Sequence, residues 1–374
     1  MRTPSPAELL ARIPDGARTR QYFPALVLFA VDYAGYLLCV AGAVVLPGWW
    51  AKGQCVVAAA LLIGGLYVIG HDAGHGILVP GRRANRWIAR LAFFPAYAPL
   101  AAWFRAHVLL HHNFLRVRGR DMVWMPWTLE EFRSAPPWRR AWYRFLRTPL
   151  GVSFYWTVGN WVPYLLFPPR AAMGGRRGQY QFDRLLVVGY AVALFAGLYT
   201  LTRAAAAWPW AAPVGPTGVL LLGLVLPYLG WTYLIGVVDL VQHTHPRAVW
   251  FASRNEWDYA TANLRSTTHT SLPGGLNFLT HNILDHTAHH VDPRVPLYHL
   301  PEAQAALEAA YPDDVPVERL TPVYVLRLLR TCRLYDYDRR QWLDYEGVPT
   351  APAQRPELPL PTPEPAPVAA ESRP

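Results

Sequence analysis

Apolar residues run through the chain in four long blocks, separated by polar stretches rich in arginine. The blocks cover about 25–47, 55–79, 184–202 and 217–242. Each is long enough for a helix that crosses a hydrocarbon layer, which takes roughly 20 residues. "GWWAKGQ" (48–54) reads as a short turn between the first two blocks, and a Trp- and Pro-rich link joins the last two. The pattern predicts two helical hairpins, which put residues 1–24, 80–183 and everything after 243 on one side. Two further apolar stretches, 91–104 and 152–167, are shorter or broken by proline and read as interfacial or re-entrant helices. Residues 25–305 then form one membrane domain, and 306–348 a cytoplasmic helical segment. The Pro/Ala/Glu-rich end, 349–374, has no apolar face and predicts a disordered tail. The expected fold is all-α and membrane-integral: four transmembrane helices under a cytoplasmic helical cap.

Composition agrees. The 374 residues are 52% hydrophobic and only 16% charged, against about a quarter charged in soluble domains. The net charge of +10 is almost all arginine, with Lys52 as the single lysine. Arginines crowd residues 82–177, while the two hairpin turns carry only Lys52 and Arg203. By the positive-inside rule the large middle segment is cytoplasmic. The basic surplus then faces lipid head groups rather than nucleic acid. The polar start lacks the early apolar core of a cleaved signal, so the first span is expected to direct insertion, in a bacterial inner membrane. Cys39, Cys55 and Cys332 are scattered, which predicts neither a disulfide framework nor a thiolate metal site.

The 13 histidines are clustered: "HDAGH" (71–75), "HVLLHH" (107–112), "QHTH" (242–245) and "HNILDHTAHH" (281–290). His71 and His75 are four apart, which on a helix places them on one face, one turn apart. His107 and His111 repeat that spacing, as do His286 and His290, with His289 beside them. The clusters fall at the ends of spans or in the segments outside them, so all four can meet at one membrane face. Imidazole is a borderline nitrogen ligand for iron, zinc, copper or nickel. Three boxes plus His243 offer more nitrogens than one ion takes and suit two. Isolated His269 and His299 read as ordinary polar groups. His245 and His281 are candidates to support a metal-binding neighbour.

The boxes "HDAGH", "HVLLHH" and "HTAHH" (286–290) resemble those of the membrane fatty acid desaturases. The resemblance runs from about 55 to 305. "RDMVWMP" (120–126), "QHTHP" (242–246), "EWD" (256–258) and "PLYHLPEA" (296–303) resemble the oleate (delta-12, omega-6) branch of acyl-lipid desaturases. The resemblance implies a di-iron centre that uses O2 and two electrons to remove two hydrogens from a long acyl chain. It implies as ligands His71, His75, His107, His111, His112, His243, His286, His289 and His290. Asp72, Asp121, Asp239, His245, His281 and Asp285 are candidates for the supporting shell that orients them. The family places an asparagine one turn before the fourth-span histidine, where this chain has Asp239. "SLPGG" (271–275) lacks the histidine of a fused cytochrome b-type domain, and no ferredoxin cysteines or dinucleotide glycine fingerprint occur. A separate donor, ferredoxin-like or cytochrome b-type, is therefore expected to supply electrons.

Other readings share parts of this pattern. Acyl hydroxylases, acetylenases and carotenoid oxygenases use the same box plan. "HDAGH" is one methylene from the HExxH of zinc metalloproteases, but that leaves two boxes without a role. A metal carrier would need polar groups along the spans, where Asp32 and Asp239 stand nearly alone.

Overall fold

The computed structural model describes residues 3–169 and 173–354. Among these, four helices are long and apolar enough to cross a membrane: Tyr22–Val45, Trp49–His75, Arg177–Ala205 and Pro216–His243, hereafter spans 1 to 4. Spans 3 and 4 contain their apolar blocks whole, whereas spans 1 and 2 begin before theirs and stop short of their ends, at Val45 rather than 47 and at His75 rather than 79. "GWWAKGQ" is not a turn. Trp49 already begins span 2, and the reversal is confined to residues 46–48, where Gly48 takes a left-handed φ of 78°.

Span 2 is central, and half of its most apolar stretch is buried, against 17% for span 3. It packs along span 1 and against span 4. The approach of spans 2 and 4 is close because Gly230 faces Ala60, leaving no room for a side chain there. Span 3 lies at the edge and presents Leu185, Val188 and Val192 outward.

Of the stretches expected to be interfacial, 91–104 is helical at both ends but broken by a turn at 94–99, and 152–167 is helical to 166. Arg82–Phe93 is amphipathic and buries Ile88, Ala89, Ala92 and Phe93. Leu100–Trp103 runs on into a π-helical stretch, Phe104–His112, which carries the second box. Residues 151–166 continue likewise from α into π conformation, with Pro163 inside. Asp183 at the start of span 3 ties two of these together. It accepts from Arg90 Nε (2.8 Å) and from the Ala101 backbone N–H (2.7 Å).

The region after span 4 is less helical than expected, and the fold is not purely α. His269–Ser271 pairs in parallel with Val317–Arg319, and Leu334–Asp336 pairs antiparallel with Gln341–Leu343. The second pair lies in the segment expected to be helical. Its residues Leu334, Tyr335 and Trp342 are buried, as β-propensity and aromatic packing favour. Residues 349–354, expected to open the tail, pair instead with this hairpin: Thr350 N donates to Trp342 O and Gln354 N to Arg340 O. The rest of the tail, from 355 on, lies outside the described residues.

Candidate metal centre

The three boxes and the end of span 4 meet in one buried cluster. His71 and His75 close span 2, which stops at Gly76 in a left-handed cap (φ 77°). His243 is the last residue of span 4. His286, His289 and His290 lie on a six-residue helix, His286–Val291, whose every side chain is buried.

The ligating nitrogens sort into two nests. In the first, His71, His75, His107, His112 and His289 converge within 4.8 Å of one another. His107 Nε2 lies 2.9 Å from His71 Nε2 and 3.1 Å from His112 Nε2, which is itself 3.1 Å from His289 Nε2. In the second, His111, His243 and His290 converge to the same limit. His286 Nε2 joins them at 2.8 Å from His243 Nε2 and 3.0 Å from His290 Nε2. The nests adjoin, with the rings of His112 and His290 stacked at 4.5 Å.

The second box departs from the expected face. His107 shares its nest with His112, five residues on, and His111 turns to the other. The π conformation is the cause: its i→i+5 bonds widen the turn, so residues five apart share a face. In the first and third boxes the expected i, i+4 pairs hold.

The donor chemistry fits metal cations. A neutral imidazole has one N–H and one lone pair. His71 Nδ1 faces Asp72 Oδ1 and His111 Nδ1 faces Asp121 Oδ1, each at 2.9 Å. A ring that donates its Nδ1–H to a carboxylate presents the Nε2 lone pair to the nest. The buried Nε2 atoms of His75 and His111 have no hydrogen-bond partner among the described residues, as expected of lone pairs waiting for a cation. Burial first, and then the neighbouring imidazoles, hold His107, His112, His286, His289 and His290 well below the ordinary histidine range. These five rings are therefore neutral, the form that binds metal.

Two carboxylates brace these rings and are themselves fixed. Asp72 Oδ2 accepts from the Leu297 N–H at 2.6 Å, and Asp121 accepts from the N–H groups of Arg116 (2.7 Å) and Val123 (3.0 Å). The other supporting candidates go elsewhere. His245 accepts from the Arg247 N–H and lies 3.4 Å from Glu318; burial, with Arg247 and Arg327 nearby, pushes it down to about 3. His281 Nε2 donates to Asp32 Oδ2 in span 1 at 2.7 Å. Asp285 accepts from Asn277 and His269 rather than from a nest histidine. Asp239 sits half-buried one turn before His243 and makes no hydrogen bond or ion pair with the described residues.

Four residues around the site are given no role in it by sequence reasoning. Trp103 stacks on His107 at 4.8 Å, edges His71 and His75, and donates its Nε1–H to the Tyr67 hydroxyl at 3.0 Å. Gly74, inside "HDAGH", gives Trp103 its room, because a Cβ there would overlap the indole. Gly74→Ala is expected to cost about 1–3 kcal/mol by overpacking and to impair the first nest. Thermal unfolding beside turnover checks this, and an unchanged Tm would contradict it. Arg116 is fully buried with a left-handed φ of 62°, and its guanidinium donates to the backbone carbonyls of His243 (2.6 Å) and Ser266. It thereby ties the Asp121 loop to the end of span 4.

The fourth, His269, is not isolated. Its Nε2 is 3.0 Å from Asp285 and its Nδ1 2.5 Å from Glu308. Burial opposes its charge, but the two carboxylates outweigh that and raise it to about 9. The folded pKa exceeds the unfolded value of about 6.5. The stability it contributes is therefore complete below about 6.5 and lost as pH rises through about 9. His269→Gln should lower Tm most at acidic pH, with the gap to wild type closing above pH 9. A gap independent of pH would contradict this.

A chain with four apolar spans and two imidazole nests at one end of them has the makings of a membrane-bound metal oxidoreductase. The family model for fatty acid desaturases matches residues 47–321, and the chain belongs to that family. It is an oxidoreductase of lipid metabolism and a membrane protein. It is similar to the sn-1 oleoyl-lipid 12-desaturase of Picosynechococcus sp., at 29% identity over 78% of this chain and 77% of that one. The protein of the same description from Synechocystis sp. is 27% identical over 83% and 82% of the two chains. The chloroplastic omega-6 fatty acid desaturase of Spinacia oleracea is 26% identical over 74% of this chain and 58% of its own.

Proposed function

We propose that this enzyme is an acyl-lipid desaturase that inserts a double bond at the delta-12 (omega-6) position of a lipid-linked oleoyl chain, using O2 and a di-iron centre. The observation that carries the reading is the sorting of nine histidines into two adjoining nests. One ion is held by His71, His75, His107, His112 and His289, the other by His111, His243, His286 and His290. The position of the double bond rests on the relatives' printed activities.

When bound, two irons with O2 and two electrons supply the oxidising power that removes two hydrogens from adjacent methylenes. In sum, –CH2–CH2– + O2 + 2 e⁻ + 2 H⁺ gives –CH=CH– + 2 H2O. The chain's own residues do the positioning. Asp72 and Asp121 keep the protons of His71 and His111 on Nδ1, which fixes both rings and directs Nε2 inward. Arg116 holds the end of span 4, and with it His243, against the Asp121 loop. Trp103 covers His71, His75 and His107, and Trp156 and Trp231 pack on Tyr67 behind it, an apolar backing that keeps water from the first nest.

The spans form two hairpins in a bacterial inner membrane, and the arginine distribution supports a cytoplasmic histidine side. A separate carrier supplies the electrons, with the exposed arginines on that side as its contact surface. Elemental analysis of protein purified from iron-replete cells tests the metal assignment. About two irons per chain is expected, and stoichiometric zinc in their place would overturn it.

A further inference from the structure

We propose that the loop Pro273–Thr280, in the segment between span 4 and the third box, is inserted into the hydrocarbon layer beside spans 1 and 2. This surface of the cap takes lipid acyl chains rather than water or a protein partner. The proposal concerns how the chain sits in its membrane and stands apart from the assignment of metal and double-bond position.

Three residues far apart in sequence meet at the base of this loop. His281 Nε2 donates to Asp32 Oδ2 at 2.7 Å, and both side chains are nearly buried. Gly65 of span 2 makes the meeting possible, since a Cβ there would overlap the Asp32 carboxylate and lie 3.0 Å from His281 Nε2. Asp32 and Gly65 are not at the ends of their spans. Span 2 begins with the strongly exposed Trp49 and Trp50, residues that favour a membrane interface. A crossing of about 20 residues from Trp50 ends near Gly70, which puts Gly65 about 7 Å inside the layer. Counted back from Val45, Asp32 lies about 20 Å from the far face and so about 10 Å inside the near one. Both counts place His281 below the membrane surface, at the depth of interfacial elements.

The loop has the composition for that depth. Residues 272–281, "LPGGLNFLTH", contain no Asp, Glu, Lys or Arg. Leu276, Phe278 and Leu279 are 41%, 60% and 63% exposed, an apolar edge on a segment that packs against span 2. The segment is short 3-10 helix broken at Gly274–Leu276, and such irregular backbone is tolerated at membrane depth only where its polar groups are satisfied. Here Asn277 does much of that: its Oδ1 accepts from the Leu272 N–H (2.7 Å), its Nδ2 donates to Thr270 O (3.2 Å), and its carbonyl accepts from the Thr280 hydroxyl (2.8 Å) and the Asn282 N–H (3.1 Å). Left-handed Gly274 and Gly275 on one side, and His281 and Asn282 on the other, turn the chain in and out. Asp32, otherwise an unexplained charge in a span, is the anchor that holds the loop down.

The test is photolabelling of the wild-type enzyme in nanodiscs made with a phospholipid that carries a diazirine midway along one acyl chain, with adducts mapped by mass spectrometry. Leu185, Val188 and Val192 of span 3 serve as the internal standard for lipid contact. Adducts on residues 276–279 within a few-fold of that standard are expected. A labelled span 3 with no adducts on 272–281 would overturn the insertion, and would leave the loop as a surface for water or a protein partner. Gly65→Val, which displaces the Asp32–His281 pair, should lower the loop adducts several-fold while span 3 labelling holds. Unchanged loop adducts in that variant would overturn the anchoring role.

Discussion

Replacing His111 with alanine is expected to abolish double-bond formation and to lower bound iron from about two ions per chain to about one or fewer. His111 stands in the second nest with His243, His286 and His290, and its unpartnered Nε2 points at them. Its neighbour His112 belongs to the first nest. His111→Ala should therefore leave the five nitrogens of the first nest intact, and His112→Ala the four of the second. Each variant should lose turnover if the proposed centre works with both ions in place. Each should retain a different ion, distinguishable by Mössbauer spectra of the two partly loaded proteins. Folding is checked by Tm and by monodispersity in detergent. Identical residual spectra in two folded variants would contradict the division of nests.

Asp121→Asn should weaken iron at the second nest by about 10–100-fold, the usual cost of losing an outer-shell carboxylate. The carboxylate accepts from three donors at once: His111 Nδ1–H and the N–H groups of Arg116 and Val123. An amide has one acceptor oxygen, and its NH2 would face a donor on the other side. Either His111 loses its brace and can flip its tautomer, or the Arg116 N–H is left buried without a partner. The readout is iron retained against a graded chelator, with Asp72→Asn as the matching change at the first nest. Wild-type retention in a folded Asp121→Asn enzyme would show that the carboxylate does not hold the ring.

The spans and histidine boxes were legible because they rest on properties of the sequence itself. Twenty apolar residues can hardly do anything but cross or be buried, and histidines four apart share a helical face. The assignment of His111 and His112 was not legible. It depends on π conformation in Phe104–His112, and nothing local in "FRAHVLLHH" distinguishes that from an α-helix. The supporting carboxylates divided along the same line. Asp72 adjoins its histidine in sequence and Asp121 follows its own by ten residues, and both proved to face them. Asp285 adjoins His286 yet turns away, because His269 and Asn277 from another segment claim it. His281, Asp32 and Gly65 are separated by up to 249 positions, and no periodicity links them. Trp103 and Gly74 were hidden for a similar reason. An indole in an apolar stretch and a glycine in a helix carry no signal of the close packing between them.

The most direct test of the account is acyl-chain analysis of a bacterial host that makes oleoyl lipids and a compatible electron donor and expresses this chain. His289→Ala and His290→Ala variants are run in parallel, and double bonds are located by mass spectrometry. A new diene with its second double bond at the delta-12 position is expected in the wild type alone. Unchanged chains in cells that hold folded, iron-loaded enzyme and a working donor would contradict it, as would a hydroxylated product in place of the diene.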